Sequence, residues 1–389
     1  MASAEGDLAA AGAIPNPTLS AGIGHSFLFG HCTGDTGEPA PCPSYPPALS
    51  ASISDGAALS DSLSGKRGLR LRVAREALAA ARLSRDDALR SLEGQVKQQF
   101  VQVLVAQESL AFAREVADAQ ARTAALSKAR LEAGAISEAD LARIDTAWLE
   151  SDQAVDQARA TLRTAQLGLA FFLGARAAVP EFEVVAGELA RATVSPGLSA
   201  ATRDSVLRQA FEARLDLLAA QRTEERARAG VDLARRERWP DFTLSLSYAQ
   251  QGTTQTAVSP PTVSLGVSVP LPLFYRQQGE IEKAEADAST QSLALAKAES
   301  TVVSDVETAW AGFEGSRALV ERMENGLLER AKTAFDLVTI QYQRGAGSLL
   351  DLLDAQRTYT ATELEYLQDV SAYWQSVFRL EQAAGVVLR

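Results

Sequence analysis

Apolar residues recur at two different spacings along this chain of 389 residues. Over 66–133 they follow steps of three, four and seven, which is the spacing of a helix with one apolar seam. The seam runs through Leu89, Leu92, Val96, Val103, Ala106, Leu110, Ala113 and Ala117, with an interruption at Gln99. Such a helix would be about 100 Å long at about 1.5 Å per residue, too long for a compact domain. A freestanding coiled coil explains this segment equally well.

Proline divides the chain into helical and non-helical stretches. All 14 prolines fall within 15–47, 180–196 and 240–272. Because proline disrupts a helix interior by about 3 kcal/mol or more, 48–179 and 273–389 are free to be helical over great length.

Four short segments alternate apolar and small polar residues with a period of two, which is typical of β-strands. A soluble sheet with one covered face would show the same alternation. The seams of the adjoining helices are already matched to other helices, so the pattern favours a membrane β-barrel with lipid on one face and water on the other. Four strands cannot close a barrel, and open edges are not tolerated in hydrocarbon, so the chain would have to oligomerise. Three chains would supply about twelve strands.

The chain contains an internal repeat of strand, strand, long helix, glycine turn and second helix. A shift of 211 residues aligns 126–174 with 337–385 and places Gly134 on Gly345. Chance similarity between alanine-rich helices is the alternative, and the shared order of the elements argues against it. The chain is therefore predicted to be mainly α with a small β part, folded as two structural repeats.

Each repeat has predicted boundaries. The first repeat, 1–200, has strands at about 17–25 and 48–55, a long helix at about 66–133 and a second helix at about 138–174. The second repeat, 201–389, has a helix at about 201–238, strands at about 242–250 and 262–270, a long helix at about 280–344 and a second helix at about 349–385. Since the helix at 201–238 has almost no counterpart in the first repeat, an upstream helix and any signal peptide are expected to be missing from this sequence.

Composition narrows the classes of function. A formal charge of −11 without a block of Lys and Arg argues against a nucleic-acid partner. Two histidines and two cysteines argue against a His/Cys metal centre, and no cofactor is expected. The sequence contains no run of about 18 apolar residues, so no transmembrane helix is predicted. The chain lacks the sequence motifs of phosphate-binding loops and of nucleophilic serine sites, so no enzymatic activity is predicted.

The two cysteines, Cys32 and Cys42, lie in a long connection rich in proline and glycine between the first two strands. Loops of this length belong on the external side of a membrane barrel. In an exported protein two cysteines in one such loop favour a disulfide, and unpaired thiols are the alternative.

In its order of elements the chain resembles the TolC-type outer-membrane efflux factors from Pro15 to Leu388. Two motifs, Pro15-Asn16-Pro17 and the segment 63–68 with its Gly-Lys-Arg, are similar to the cobalt-zinc-cadmium resistance subgroup. The resemblance implies a homotrimer in the outer membrane, in which three chains form a twelve-stranded β-barrel in contact with outer-membrane lipid. An α-helical tunnel of antiparallel coiled-coil hairpins would continue this barrel into the periplasm.

The function that the resemblance implies is a passive exit channel of a tripartite efflux system. An inner-membrane pump of the RND type would supply the energy through a periplasmic adaptor, a membrane fusion protein. Heavy-metal cations are the substrate that the subgroup implies. Drugs, other organic solutes and type I secretion substrates are alternatives, and a soluble coiled-coil scaffold is the alternative of a different class.

The resemblance also gives roles to the two hairpin turns. The residues implied to dock the adaptor are Gly134, Ala135, Ser137, Gly345, Ala346 and Ser348. A glycine cap at the end of a long helix and a serine N-cap before the next helix would explain the same residues structurally. The two roles are compatible.

Four residues match the aperture and gate positions of the family: Tyr342, Asp351, Asp354 and Asp140. Acids in the first turn of a helix are also explained by the helix dipole. In a trimer, Asp351 and Asp354 would form a ring of carboxylates that attracts cations. Gly347 stands where some family members place a gate-locking arginine, so an Arg–Asp lock is not assumed here.

Overall fold

The computed structural model describes residues 1–24, 38, 47–185, 198–199, 201–250 and 260–388. The chain divides into two compact units, one of Met1–Leu83 with Leu218–Lys297 and one of Ser84–Leu217 with Ala298–Arg389. Each unit combines residues of both repeats, and the segment Ser84–Leu217 itself crosses from the first repeat into the second. The compact units therefore do not coincide with the two sequence repeats, because equivalent parts of the repeats pack together.

The first unit contains a four-stranded antiparallel sheet with the strand order β1-β2-β3-β4. Its strands are β1 Thr18–Gly24, β2 Ala48–Ser54, β3 Thr243–Gln250 and β4 Thr262–Ser268. Helix α1, Ala2–Gly12, precedes β1, and helix α2, Ala58–Ser64, follows β2. The sequence predicts no helix ahead of β1, and α1 corrects this prediction. The segment is rich in alanine and free of proline, which favours a helix.

The helix predicted over 66–133 is α3, Lys66–Glu132, which runs for 67 residues without a break. The other helices are α4 Glu138–Phe172, α5 Arg203–Ala213, α6 Leu215–Glu237, α7 Gln278–Arg322, α8 Leu328–Gln343 and α9 Leu349–Ala384. Within the described ranges, none of the helices is both long and apolar enough to cross a membrane.

Two of the predicted helices are interrupted. The helix predicted over 201–238 breaks at Arg214, whose backbone is extended between α5 and α6. The long helix predicted over 280–344 contains a π-helical turn at Met323–Leu327, where Gly326 has φ 139°. An Asn-Gly pair inside a helical pattern is a breaker signal, and it explains the second interruption.

The register of the sheet aligns the apolar positions of all four strands with one another, and it aligns the small polar positions in the same way. Leu19 lies opposite Ile53, Ile53 opposite Leu246, and Leu246 opposite Leu265. The adjacent row consists only of serines: Ser20, Ser52, Ser247 and Ser264. Directly opposed residues share a face, so one face of the sheet is apolar and the other carries small polar side chains.

In the second unit the apolar seams pack helix against helix. Val103 and Ala106 of α3 are buried against Ala165 and Leu169 of α4. Aromatic side chains join α7 to α9, where the rings of Phe313 and Tyr373 lie 6.0 Å apart.

Candidate functional sites

The apolar face of the sheet is uncovered in the single chain. Leu19 is 77% exposed and Leu265 is 78% exposed, and the central Ile53 and Leu246 are close to half exposed. Monomeric soluble proteins rarely expose a contiguous apolar surface of this kind. The sheet is therefore suited to contact an apolar medium on one face and water on the serine face.

Both edges of this sheet are open. Strands β1 and β4 lie at the edges, and neither pairs on its outer side with another strand of the described residues. A row of unpaired N–H and C=O groups is not stable in hydrocarbon. If its apolar face meets lipid, the sheet needs strands from further chains.

The two hairpin turns have the same backbone geometry. Gly134 and Gly345 have φ 74° and φ 75°, in the left-handed region that favours glycine. The N–H of Ala135 donates to Arg130 O at 2.8 Å, and the equivalent bond from Ala346 measures 2.9 Å. This is the Schellman motif, which satisfies the last carbonyls of a helix. The predicted glycine caps are confirmed.

Serine caps the helix that follows each turn. The backbone N–H of Asp140 donates to Ser137 Oγ at 3.1 Å, and that of Asp351 donates to Ser348 Oγ at 3.1 Å. The predicted N-caps are therefore confirmed. The Asp140 carboxylate accepts the Ser137 hydroxyl at 2.8 Å and lies 3.5 Å from Arg143. These polar partners of Asp140 belong to its own helix start.

Tyr342 lies at the junction of the two hairpins and is only 7% exposed. It belongs to an apolar cluster with Ala124, Ile144, Leu349 and Leu352. The guanidinium carbon of Arg130 lies 5.1 Å from the centre of the Tyr342 ring. Arg130 Nη2 also donates to Gln343 O at 3.1 Å. The end of α3 is thereby joined to the end of α8.

Asp351 and Asp354 both lie in the first turns of α9 and are exposed. Carboxylates that form one ring at the aperture of a trimer must be exposed in the single chain. Their role at the aperture stays a prediction, as does the role of Asp140 and Tyr342 as gate contacts.

Two features were not selected from the sequence. Arg130 stands in the last turn of a helix, where a basic residue is ordinarily explained by the helix dipole. The turn at Met323–Leu327 carries a local signal, the pair Asn325-Gly326, inside an otherwise helical pattern. Only the structure gives Arg130 a specific partner.

Two further predictions concern metal ions and cysteines. Among the described residues, no group of three or more His, Cys, Asp or Glu side chains could hold a metal ion. Cys32 and Cys42 lie outside the described residues, so their disulfide stays a prediction.

The family described as Outer membrane efflux protein matches residues 1–175 and 206–386. The cobalt-zinc-cadmium resistance protein CzcC of Cupriavidus metallidurans is 29% identical over 326 residues, which covers 83% of this chain and 74% of that protein. Protein CyaE of Bordetella pertussis is 26% identical over 327 residues, with 83% of this chain and 68% of the relative covered.

Solved structures share the fold. A structure of CusC, whose description refers to folding and transmembrane channel formation, superposes with a TM-score of 0.78 at 18% identity. The superposition covers 99% of this chain and 87% of the CusC chain. The outer membrane protein VceC of Vibrio cholerae gives a TM-score of 0.74 at 18% identity, with 100% and 91% covered. With most of its length matched by the family profile, this chain belongs to the outer membrane efflux protein family and is an efflux channel protein of the outer membrane.

Proposed function

We propose that three copies of this chain close into a twelve-stranded β-barrel, continued by an α-helical tunnel, and act as the passive exit channel of a tripartite efflux system. The observation that carries the proposal is the sheet in the first unit. Its apolar rows are matched in register across four strands, and both of its edges are open.

Pairing β1 of one chain with β4 of the next satisfies the open edges without any change in the sheet. The strands of one chain alternate in direction and are even in number, so the closed barrel stays antiparallel throughout. An even, antiparallel count is the rule for bacterial outer-membrane barrels. Three chains would also keep every backbone group paired within the hydrocarbon.

The hairpin turns are the proposed docking site of the periplasmic adaptor. The exposed residues of the two turns share one Schellman geometry: Gly134, Ala135, Ser137, Gly345, Ala346 and Ser348. A trimer would present six similar turns to a repeated partner. An inner-membrane pump of the RND type, linked through this adaptor, would supply the energy for transport.

Heavy-metal cations are the proposed substrate. Support comes from the relative named for cobalt-zinc-cadmium resistance, which aligns with 83% of this chain. Exposed Asp351 and Asp354 at the start of α9 would favour cations over anions at a constriction. Export of organic solutes is the second candidate, because the pyoverdine export outer membrane protein OpmQ of Pseudomonas aeruginosa is 31% identical, although over only 44% of this chain. Type I secretion substrates are a third.

Assembly and transport need separate experiments. Light scattering of the detergent-purified chain should give a protein mass three times 41.3 kDa. A monomer that remains in buffer without detergent would instead support the soluble scaffold.

For transport, a strain that lacks its own outer-membrane channel should regain tolerance to cobalt, zinc and cadmium when this chain is expressed with a matching pump and adaptor. Recovered tolerance to organic compounds alone would replace the metal assignment.

A further inference from the structure

We propose that the end of the sheet at which β3 begins and β4 ends binds the headgroups of anionic phospholipids through Arg238 and Arg276. The proposal rests on the channel function proposed above, in which the apolar face of the sheet contacts membrane lipid. It adds the class of lipid and the two residues that select it.

Two connecting segments leave the β3–β4 hairpin at this end of the sheet. Thr243, at the start of β3, lies opposite Ser268, at the end of β4. The segment that enters β3, 238–242, and the segment that leaves β4, 269–276, therefore start from neighbouring positions. Both segments belong to the first unit. Together they are called the hairpin base below.

The apolar row of β4 continues beyond the strand into the hairpin base. Val269, Leu271 and Leu273 alternate with two prolines, and Leu271 and Leu273 are 72% and 71% exposed. From Val263 to Leu271 an extended chain covers about 26 Å at about 3.3 Å per residue. With the tilt of about 40° usual in membrane barrels, this row spans about 20 Å of an apolar band about 25 Å tall. The residues after Leu273 therefore come to the boundary of that band.

Three exposed aromatic side chains lie at this boundary. Trp239 is 66% exposed, Phe274 99% and Tyr275 53%. The backbone at Trp239 is held in place, because its carbonyl accepts a hydrogen bond from Lys66 Nζ at 2.7 Å. A Cβ on Gly279 would lie 3.0 Å from the Tyr275 hydroxyl, so this hydroxyl lies against the first turn of α7. Aromatic rings in such positions are typical of the interface between lipid and water.

An arginine stands on the helix side of each aromatic group. Arg238 directly precedes Trp239, and Arg276 directly follows Tyr275. Both arginines are exposed, and neither forms an ion pair with any residue that the structure describes. Arg235, in the last turn of α6, instead pairs with Glu285 at 2.8 Å. The two connections thus share one order of apolar residues, aromatic ring and unpaired guanidinium.

The helix dipole explains only one of these two arginines. Arg238 follows the C-terminal end of α6, where a cation is favourable. Arg276 lies two residues before Gln278, the first residue of α7, where the positive end of the dipole disfavours a cation. Glu280, in the first turn of α7, forms no ion pair with Arg276 in the described structure. An anionic headgroup at the hairpin base would compensate this charge.

The chemistry of the two arginines favours an anionic phospholipid over a zwitterionic one. Guanidinium groups bind phosphate oxygens through paired N–H donors. The ammonium group of phosphatidylethanolamine competes for its own phosphate and repels a nearby guanidinium. Phosphatidylglycerol carries only hydroxyl groups beyond its phosphate, so its negative charge stays available. A neighbouring chain is the alternative occupant of the exposed rings.

Native mass spectrometry of the detergent-purified full chain tests the proposal, because it counts the lipids that stay bound to the trimer. The probes are palmitoyl-oleoyl phosphatidylglycerol and phosphatidylethanolamine at equal concentrations. The wild type should prefer phosphatidylglycerol by about tenfold or more, since each arginine near an anionic headgroup contributes about fivefold. Arg238→Gln with Arg276→Gln should reduce the preference to about twofold or less. Arg238→Lys with Arg276→Lys keeps both charges and should retain most of it.

Arg176→Gln with Arg208→Gln is the matched control, because it removes the same charge from two exposed arginines of the second unit. Its lipid preference should equal that of the wild type. An undiminished preference in the Arg238 and Arg276 glutamine variant would overturn the proposal. Equal retention of the two lipids by the wild type would also overturn it, and dissociation of the glutamine variant into monomers would then assign the hairpin base to a neighbouring chain.

The salt dependence of the wild type decides the case in which the glutamine variant does not assemble. Exposed charge pairs are screened as the concentration of ammonium acetate rises from about 0.05 M to about 0.5 M, so the preference should fall. A preference for phosphatidylglycerol that is independent of salt would overturn the role of the arginines. A wild-type protein that is not a trimer would instead refute the proposed function.

Discussion

Lys66 Nζ lies 2.9 Å from Asp241 Oδ1 and donates to Trp239 O at 2.7 Å, so the start of α3 is bound to the segment that enters β3. The Lys66 side chain is 6% exposed, whereas that of Asp241 is 41% exposed. Ser60 also donates to Asp241 Oδ1, at 2.9 Å. A buried amine from the first repeat is thereby neutralised by a carboxylate from the second.

Lys66→Met should destabilise the protein by about 1–3 kcal/mol. Loss of one partner from a fully buried pair typically costs about 3–5 kcal/mol, but water can reach the remaining carboxylate of Asp241. Urea denaturation of the detergent-solubilised protein measures the change. The control is Arg72→Met, because Arg72 and Asp232 are 3.8 Å apart and both more than half exposed. The control should stay within about 0.5 kcal/mol of wild type, and equal stability of both variants would show that Lys66 contributes nothing.

The ion pair at the break between α5 and α6 should make stability depend on pH. The Arg214 side chain, 7% exposed, lies 2.6 Å from Asp216 and 2.8 Å from Asp305. Burial tends to raise the pKa of Asp216, but hydrogen bonds and charge from Arg214 outweigh it and hold that pKa below its usual 3.8. Because the folded-state pKa is the lower one, the stabilisation is complete above the unfolded-state value and is lost as pH falls through the folded-state value.

Asp216→Asn should therefore lower stability near neutral pH and flatten its decline below about pH 4. Urea midpoints measured across the acid range test this. The comparison variant is Asp156→Asn, which removes an exposed pair with Arg159 and should change stability by less than about 0.5 kcal/mol. If the stability of Asp216→Asn falls with pH as steeply as that of the wild type, Asp216 is not the source of the acid dependence.

Valine at Gly134 or Gly345 should weaken adaptor binding more than trimer formation. Left-handed backbone is unfavourable by about 1–2 kcal/mol for residues with a Cβ, and more so for a β-branched one. The proposed docking surface would distort, whereas the strand pairing would not. Adaptor affinity and trimer mass are measured on the same samples. Gly68→Val, in open space within α3, is the control, and a lost trimer with unchanged adaptor affinity would reverse the assignment.

Asp351→Asn combined with Asp354→Asn should reduce cation selectivity without dissolving the trimer. Asp351, in the first turn of α9, contributes only about 0.3–1 kcal/mol through the helix dipole, and Asp354, in the second turn, contributes less. Six carboxylates at a constriction would instead set the local potential, which solvent screens poorly in a confined space. Reversal potentials in planar bilayers measure selectivity. Asp152→Asn with Asp156→Asn removes two exposed acids of α4 as the control, and equal selectivity in the two double variants would place the constriction elsewhere.

Local rules account for most of the secondary structure. The absence of proline and the seam spacing predict α3, because both are short-range features that act over a few neighbouring residues. The turns at Gly134 and Gly345 follow from left-handed caps, which glycine supplies whatever its surroundings. The strands follow from period-two alternation, and the apolar rows meet in register as that alternation requires.

The remaining features depend on residues far apart in the chain. The break at Arg214 is stabilised partly by Asp305, 91 positions away, so no local pattern marks it. The contact of Arg130 with Tyr342 forms because two hairpins from different repeats meet at their turns. By itself the sequence determined the strands, the turns and most of the helices, since these follow from short-range spacing and backbone preference. Only the tertiary structure decided which buried charges and rings are partners, because packing alone brings distant residues within a few ångströms of one another.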